Sequence, residues 1–422
     1  MKIVCSPSEA YLAKQKNADV RVLLFGIPKS DKYASCGNLL ESYFAGREAY
    51  LETGAWDLLA FSLAVIAADL SVPRKRSPDG WTRVIDLEIS VIQPNKWIPL
   101  IPKIQHLLRF LSTDIWRLTF VKSGYRPQIG KSKKIKADCV SLLSGGLDSL
   151  IGGLDLVSKK RNPVFVSQTV RGDKQNQINF AKAINPKTSL IQVSHRFHAP
   201  AKRVYFELSQ RARSIIFLAF GTVTCTLLEN GKKSPKTDLI VSENGLISLN
   251  PPLTPARIGS LSTRTTHPHF IKCYQDLIDS LGFKVNIVTP YSLLTKGEML
   301  AHCKRVKQLQ KLAYDSTSCG KVGRRQKQCG KCMPCLIRRA AFAAAGVLDK
   351  TDYENKDLRK VSDYDDVRSA AIAINTIKTS GFDRWFANAQ NNLDSINIQD
   401  YKAVAQRGIE ELESLLQKYK IC

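Results

Sequence analysis

Four cysteines fall within seventeen residues of this 422-residue chain: Cys319, Cys329, Cys332 and Cys335. Their pattern, C-x9-C-x2-C-x2-C, offers a closed tetrahedral thiolate set for zinc. A zinc whose ligands all come from the protein is structural. An iron–sulfur cluster is the other group that takes four thiolates. A zinc tetrathiolate keeps net negative charge, and segment 321–339 supplies seven Lys/Arg and no acid to offset it. The other seven cysteines are scattered with no close pair. That is unlike a disulfide framework and predicts a reducing, cytoplasmic setting.

A second constellation joins an apolar stretch, 139–143, to an apolar helical pattern through Ser144-Gly145-Gly146-Leu147-Asp148-Ser149. This reads as strand, tight turn, helix. Two glycines remove the side chains that would keep a phosphate off the backbone N–H groups. The start of a helix favours an anion through its unpaired N–H groups and its dipole. Ser144 and Ser149 add hydroxyl donors. Asp148 is out of place beside an anion unless it caps the helix or holds magnesium. The Gly-Lys-Ser/Thr ending of a Walker loop is missing, and so is a Rossmann fingerprint. On these residues alone two readings stand: a phosphate cradle, or a glycine turn with Ser and Asp capping.

The elements that must position these residues alternate regularly. Strand patterns at 139–143, 164–170, 190–193, 239–241 and 285–288 interleave with helical patterns at 147–158, 176–184, 204–228 and 270–281. The alternation predicts an α/β fold with a doubly wound parallel sheet, whose ligands sit beyond the carboxyl ends of the strands. The Ser144 turn lies at such an end. Residues 1–125 mix strand patterns (20–27, 83–92, 115–121) with helical ones (55–70, 101–112) and predict an N-terminal α+β accessory domain with no catalytic constellation. A basic stretch with Pro and Gly makes 126–137 a linker. The α/β unit then occupies 138–345, and 346–422 reads as a helical C-terminal extension. No internal repeat is visible.

Net charge is +26, and residues 351–422 carry 10 Lys+Arg against 12 Asp+Glu, so the first 350 hold +28. Such a field draws polyanions: nucleotides, nucleic acid or an acidic protein. The longest apolar run, 55–68, reads as a buried helix too short for a bilayer, and the N-terminus lacks the long apolar stretch of a signal peptide. No membrane is expected.

"SGGLDS" at 144–149 resembles the signature of the PP-loop ATP pyrophosphatases, an adenine nucleotide α-hydrolase-like fold. "TSCGKVGRRQKQCGKCMPCLIRRAAF" at 317–342 resembles the zinc motif of the QueC family, the 7-cyano-7-deazaguanine synthases. "TPYSLLTKGEML" at 289–300 resembles that family's Thr-Pro…Thr-Lys-x-Glu segment, with Lys296 and Glu298 in the matching places. "RARSIIFLAF" at 211–220 is similar to its Arg-Asn-x-x-Phe-Leu helix start, with Arg213 in place and Ser214 where the family has Asn. The resemblance covers about residues 137–345 and leaves both ends of the chain outside it. In its extended form the chain looks most like the QueC-like proteins of Qat anti-phage defence cassettes.

The resemblance implies ATP, Mg2+ and a structural Zn2+. It implies that Ser144, Gly145, Gly146, Leu147, Asp148 and Ser149 hold the phosphates, and that Asp148, Lys296 and Arg213 serve catalysis. Lys296 would reach phosphate as a point charge and Arg213 would steady the α-phosphate. The implied reaction is adenylation of a 7-deazaguanine carboxylate with release of pyrophosphate, then amide and nitrile formation from ammonia. Glu243 and Asn244, in "VSENG", would read a guanine-like edge; a plain Asn-Gly turn is the alternative. The added segments are unnecessary for a small-molecule reaction. They point to a protein partner from the same defence cassette, whose amine could trap the adenylate. Two other classes stand beside this one: a PP-loop tRNA-modifying enzyme, with nucleic acid as partner, and a non-catalytic ATP-binding scaffold. Arg257, Arg264, His267 and His269 crowd one loop region, where the His pair flanking Pro268 is read as structural.

Overall fold

The computed structural model describes residues 1–125, 133–169, 174–200, 207, 211–229, 235–254, 264–320, 327–387, 393 and 398–422. Residues 126–132 of the expected linker, Val170, residues 204–206 and 208–210 of one helical pattern, Arg257, and 321–326 of the cysteine segment lie outside the described residues.

Among the described residues, ten strands form two sheets. β1 (Lys2–Ser6), β2 (Val20–Leu24), β3 (Ala34–Cys36), β4 (Val84–Val91) and β5 (Ile115–Lys122) pair in the order β3-β2-β1-β4-β5, every pair parallel. β6 (Cys139–Leu142), β7 (Pro163–Gln168), β8 (Leu190–Val193), β9 (Thr237–Ile240) and β10 (Val285–Val288) pair in the order β8-β7-β6-β9-β10, again all parallel. The two orders are the same, with the first strand central and the winding reversing between the first and fourth.

The expectation of an α+β domain over 1–125 is therefore corrected to a second parallel α/β sheet. The reason lies in β4 and β5. Their buried apolar residues are Ile85, Leu87, Ile89 and Val91, and Trp116, Leu118 and Phe120, while Asp86, Glu88 and Arg117 point to the other face. Clean alternation of this kind is typical of antiparallel sheets with one wet face. β6 and β7 are buried along their whole length, as parallel strands covered on both faces should be.

Helices Thr53–Ser71 and Ile101–Ser112 cover the inner face of the first sheet. Helices Arg213–Thr226 and Pro268–Ser280 cover the facing side of the second. Thr53–Ser71 packs on Arg213–Thr226, and Ile101–Ser112 on Pro268–Ser280, so one core runs through both sheets. Thr53–Ser71 is long and apolar enough to cross a membrane, but every residue from Ala55 to Ser71 is buried inside the fold. It is a core helix, as the 55–68 run predicts, and apolar on all sides because it is packed on all sides.

Charge also ties the halves together. Arg83 lies 2.5 Å from Asp69 and 2.6 Å from Asp114, and Arg74 lies 2.9 Å from Asp114. All four are buried. Asp69 also accepts from the Ala212 N–H at 3.0 Å, at the mouth of the Arg213–Thr226 helix. Ser35, in β3, exchanges two backbone hydrogen bonds of 2.9 Å with His198. Helices Leu147–Ser158 and Lys174–Ile184 pack on the outer face of the second sheet. Asp365–Ser380, Phe382–Phe386 and Ile398–Lys418 form a C-terminal helical layer that shares a core with Leu246, Leu336 and Ile337.

Candidate functional site

β6 delivers the Ser144 turn to the carboxyl end of the second sheet. Gly145 has φ +90, a conformation that favours glycine, and Gly146 is the N-cap of the Leu147–Ser158 helix. The two hydroxyls converge: Ser144 Oγ and Ser149 Oγ are 3.2 Å apart, and Gly146 N–H donates to Ser144 Oγ at 3.2 Å. A Cβ on Gly146 would come within 3.3 Å of the Thr317 carbonyl. The turn therefore lies under the start of the cysteine segment, and Thr317 N–H donates to the Gly145 carbonyl at 3.1 Å. Beside it is a cavity of about 310 Å³. Its walls come from the turn (Ser144, Gly146, Asp148, Ser149), from the end of β9 (Ser242, Glu243), from Lys296, and from Thr317, Ser318 and Pro334.

Lys296 is held by the Thr-Lys-Gly-Glu segment for a local reason. Thr295 is the N-cap of helix Lys296–His302; its Oγ1 accepts from the Glu298 N–H at 3.0 Å, and Glu298 Oε2 accepts from the Thr295 N–H at 2.8 Å. This is a capping box, and it presents Lys296 as the first helical residue. The Ile398–Lys418 helix braces the box: Arg407 Nε donates to Glu298 at 2.6 Å, and Thr295 Oγ1 donates to Glu411. The brace also sets glycine positions. A Cβ on Gly245 would fall 2.4 Å from the Ser292 carbonyl and 2.9 Å from Val404.

Asp148 is the hub of the cavity floor. It is 5 % exposed. Lys296 Nζ donates to Oδ1, and Asn244 Nδ2 donates to Oδ2 at 2.7 Å. Burial alone would raise its carboxyl, but the Lys296 charge and hydrogen bonds from Glu243, Lys296 and Asn244 hold it below the ordinary carboxylate range. Glu243 goes the other way: burial, then the Asp148 charge, push it well above its ordinary value. The two neighbouring carboxyls are thus driven in opposite directions, with the Lys296 amine on the one held down.

The four cysteines converge as the spacing predicts. Cys329 Sγ lies 4.0 Å from Cys335 Sγ, Cys332 Sγ lies 3.8 Å from Cys319 Sγ, and all four sulfurs lie within 4.8 Å of one another. Zinc–sulfur bonds of about 2.3 Å in a tetrahedron put sulfurs about 3.8 Å apart, so the set fits zinc. Contact with Cys319 and burial push the Cys332 thiol up to about 12 and raise Cys335 as well, so four thiolates need a cation here. Gly330 turns the knuckle at φ +76, where a Cβ would meet the Asn355 carbonyl at 2.6 Å. Pro334 sits in the first turn of helix Met333–Ala344. Arg339 donates to the Gly330, Asn355 and Lys356 carbonyls, and Arg338 to Ser316 and Ser318, so the knuckle and the cavity wall are one rigid piece.

Ser144, Gly146, Leu147, Asp148, Ser149, Glu243 and Lys296 all line the cavity, and Gly145 shapes its turn. Arg213 and Asn244 do not line it. Arg213 stands one strand over, where its Nε donates to Gln168 Oε1 at 3.2 Å beside His195. Asn244 is fully buried; its Oδ1 caps helix Gly245–Leu249 by accepting from Ile247 N–H, and its amide nitrogen holds Asp148. Thr317 and Ser318 carry no signature of a cavity wall in the sequence, because hydroxyls next to a cysteine are common; their nearness to the first ligand, Cys319, is the one clue. The Arg407 and Glu411 brace had no sequence signal at all.

Residues 265–346 match the family model for the queuosine biosynthesis protein QueC. The 7-cyano-7-deazaguanine synthase of Rhizobium etli is 36 % identical over 98 residues, which is 22 % of this chain and 39 % of that protein. Those of Desulfitobacterium hafniense (30 % over 95 residues, 21 % and 39 %) and Picrophilus torridus (36 % over 74 residues, 18 % and 28 %) are similar. The chain aligns with at most about two fifths of the length of these relatives. The stretch carrying Lys296, the Thr317–Ser318 wall and all four cysteines lies within the part that matches the QueC family model.

Proposed function

We propose that this protein uses ATP to adenylate a 7-deazaguanine carboxylate and passes the acyl group to an amine. The observation that carries the reading is one cavity walled by both the glycine turn and the QueC-matched stretch, with Lys296 between them. The turn's N–H groups and two hydroxyls would hold the β- and γ-phosphates. Lys296, steered by Asp148, would neutralise charge on the leaving pyrophosphate. Both oxygens of Asp148 are engaged by Lys296 and Asn244, which favours an organising role over magnesium ligation. Magnesium would come bound to the phosphate oxygens of the nucleotide. The four thiolates would hold the structural zinc and so fix the far wall. Glu243, whose carboxyl burial and the Asp148 charge push well above its ordinary value, would face the base edge.

The acceptor distinguishes this chain from a stand-alone synthase. The N-terminal sheet and C-terminal helices are built into the core, and a partner would dock on their outward sides. We therefore propose an amine on a partner protein of a defence cassette, of the Qat kind, as the acceptor, with ammonia as the simpler case. The test is pyrophosphate release from ATP with 7-carboxy-7-deazaguanine, followed by intact mass of the partner. Acid-dependent pyrophosphate release together with a heavier partner supports the proposal. Absence of acid-dependent release overturns the adenylation, and release without a mass gain overturns the protein acceptor. An arm with tRNA tests the nucleic-acid acceptor that the basic first 350 residues would suit.

A further inference from the structure

We propose that His106, His269 and Cys273 form a second metal site, a three-ligand zinc site across the seam between the two sheets. His269 and Cys273 are four residues apart on helix Pro268–Ser280 and so share one face. His106 comes from the facing helix, Ile101–Ser112, which belongs to the first sheet. His106 Nε2 lies 3.0 Å from His269 Nε2, and Cys273 Sγ lies 3.5 Å from the same nitrogen. The three donor atoms all fall within 4.8 Å of one another.

These distances suit chelation. With Zn–N about 2.0–2.1 Å and Zn–S about 2.3 Å, tetrahedral angles put the two nitrogens about 3.4 Å apart and sulfur about 3.6 Å from nitrogen. The observed separations need a few tenths of an ångström of side-chain movement. A hydrogen bond between two imidazoles accounts for the first distance alone; zinc accounts for three donors converging on one point. The Phe110 ring, 4.7 Å from the His269 ring and inclined at 62° to it, packs edge-on against it. His106 is exposed and the other two are half-buried, so an ion can enter from solvent. Three protein ligands leave the fourth position to water, unlike the closed four-Cys site. On binding, the Cys273 thiol gives its proton to solvent and the metal takes the thiolate. The site would pin Ile101–Ser112 to Pro268–Ser280 and so clasp the N-terminal sheet to the sheet that carries the cavity. This inference does not depend on the proposed reaction.

The experiment uses the untagged full chain as purified, with the four-Cys site filled. Zinc is added and bound metal per chain is measured by elemental analysis after desalting; in parallel, Co2+ is added and followed by absorbance. The expected result is one bound zinc beyond the four-Cys zinc, and a thiolate-to-cobalt charge-transfer band. His106→Gln and Cys273→Ser should each weaken this second binding at least tenfold and leave the four-Cys zinc in place, and Cys273→Ser should abolish the band. Zinc should raise the thermal midpoint of the wild type and not of either variant. If the wild type takes up no metal beyond the four-Cys zinc at saturating free zinc, the proposal is overturned. Equal uptake in wild type and both variants overturns it too. Should either variant misfold by circular dichroism, the wild-type cobalt band alone decides.

Discussion

Lys296→Met removes the cation beside Asp148 and keeps most of the side-chain volume. The pair is buried, at 6 % and 5 % exposure, and Asp148 would keep only Asn244 and Glu243. Removing one partner of a buried pair costs about 3–5 kcal/mol. The pH dependence follows from the direction of each shift. In the wild type Asp148 is depressed, so its contribution is present above the unfolded carboxylate value of about 3.9 and fades only as pH falls through its lower folded value. In the variant burial dominates and the folded value rises. The penalty then starts near pH 4 and grows by about 1.4 kcal/mol per unit, levelling off at about pH 6–7.5 once 3–5 kcal/mol is reached. Urea unfolding at about pH 4.5, 6 and 8, followed by tryptophan fluorescence, measures it. The double variant Asp148→Asn/Lys296→Met should recover most of the loss, because no unpaired charge is left. A penalty that is flat across these pH values, or a double variant as unstable as the single, would refute the reasoning.

Cys332→Ser should cost one bound zinc per chain and, by loosening the Thr317–Ser318 wall, weaken ATP binding about tenfold, a loss of about 1.4 kcal/mol readable by calorimetry. Arg83→Leu leaves Asp69 and Asp114 buried without their shared partner and should destabilise the chain by about 3–5 kcal/mol in urea, while Lys2→Ala, which removes an exposed ammonium 3.7 Å from half-buried Glu88, should shift it by less than about 1 kcal/mol. Gly245→Ala should cost about 1–3 kcal/mol, because the new methyl meets a backbone carbonyl and Val404, and the loss should be accompanied by weaker ATP binding as the Asn244 cap shifts.

The cavity was legible wherever its chemistry is local. The Ser144 turn follows from a buried strand and two glycines, and the cysteine knuckle from spacing. Lys296 sits in a Thr-x-x-Glu capping box whose effect is complete within four residues. What escaped is non-local. In sequence Asn244 reads as a ligand-facing residue, whereas its partners in the fold are Ile247 three positions on and Asp148 nearly a hundred positions back. The parallel pairing of β4 with β1 is invisible in a strand that alternates as an antiparallel one would, because its other face is left wet. His106 and His269 lie far apart in sequence and meet only because two covering helices pack across the seam.

The shared core has a consequence for synthesis. Helix Thr53–Ser71 is complete early, yet the helix that covers its second side ends about 150 residues later, at Thr226. At about 5–20 residues per second, the ribosome leaves that apolar helix half-clad for about 8–30 seconds. A nascent chain in this window presents a long greasy helix of the sort that targeting factors and holdase chaperones capture. Yield in cells should therefore respond to codon speed between the two helices, and a product released before residue 226 should aggregate where the finished chain does not.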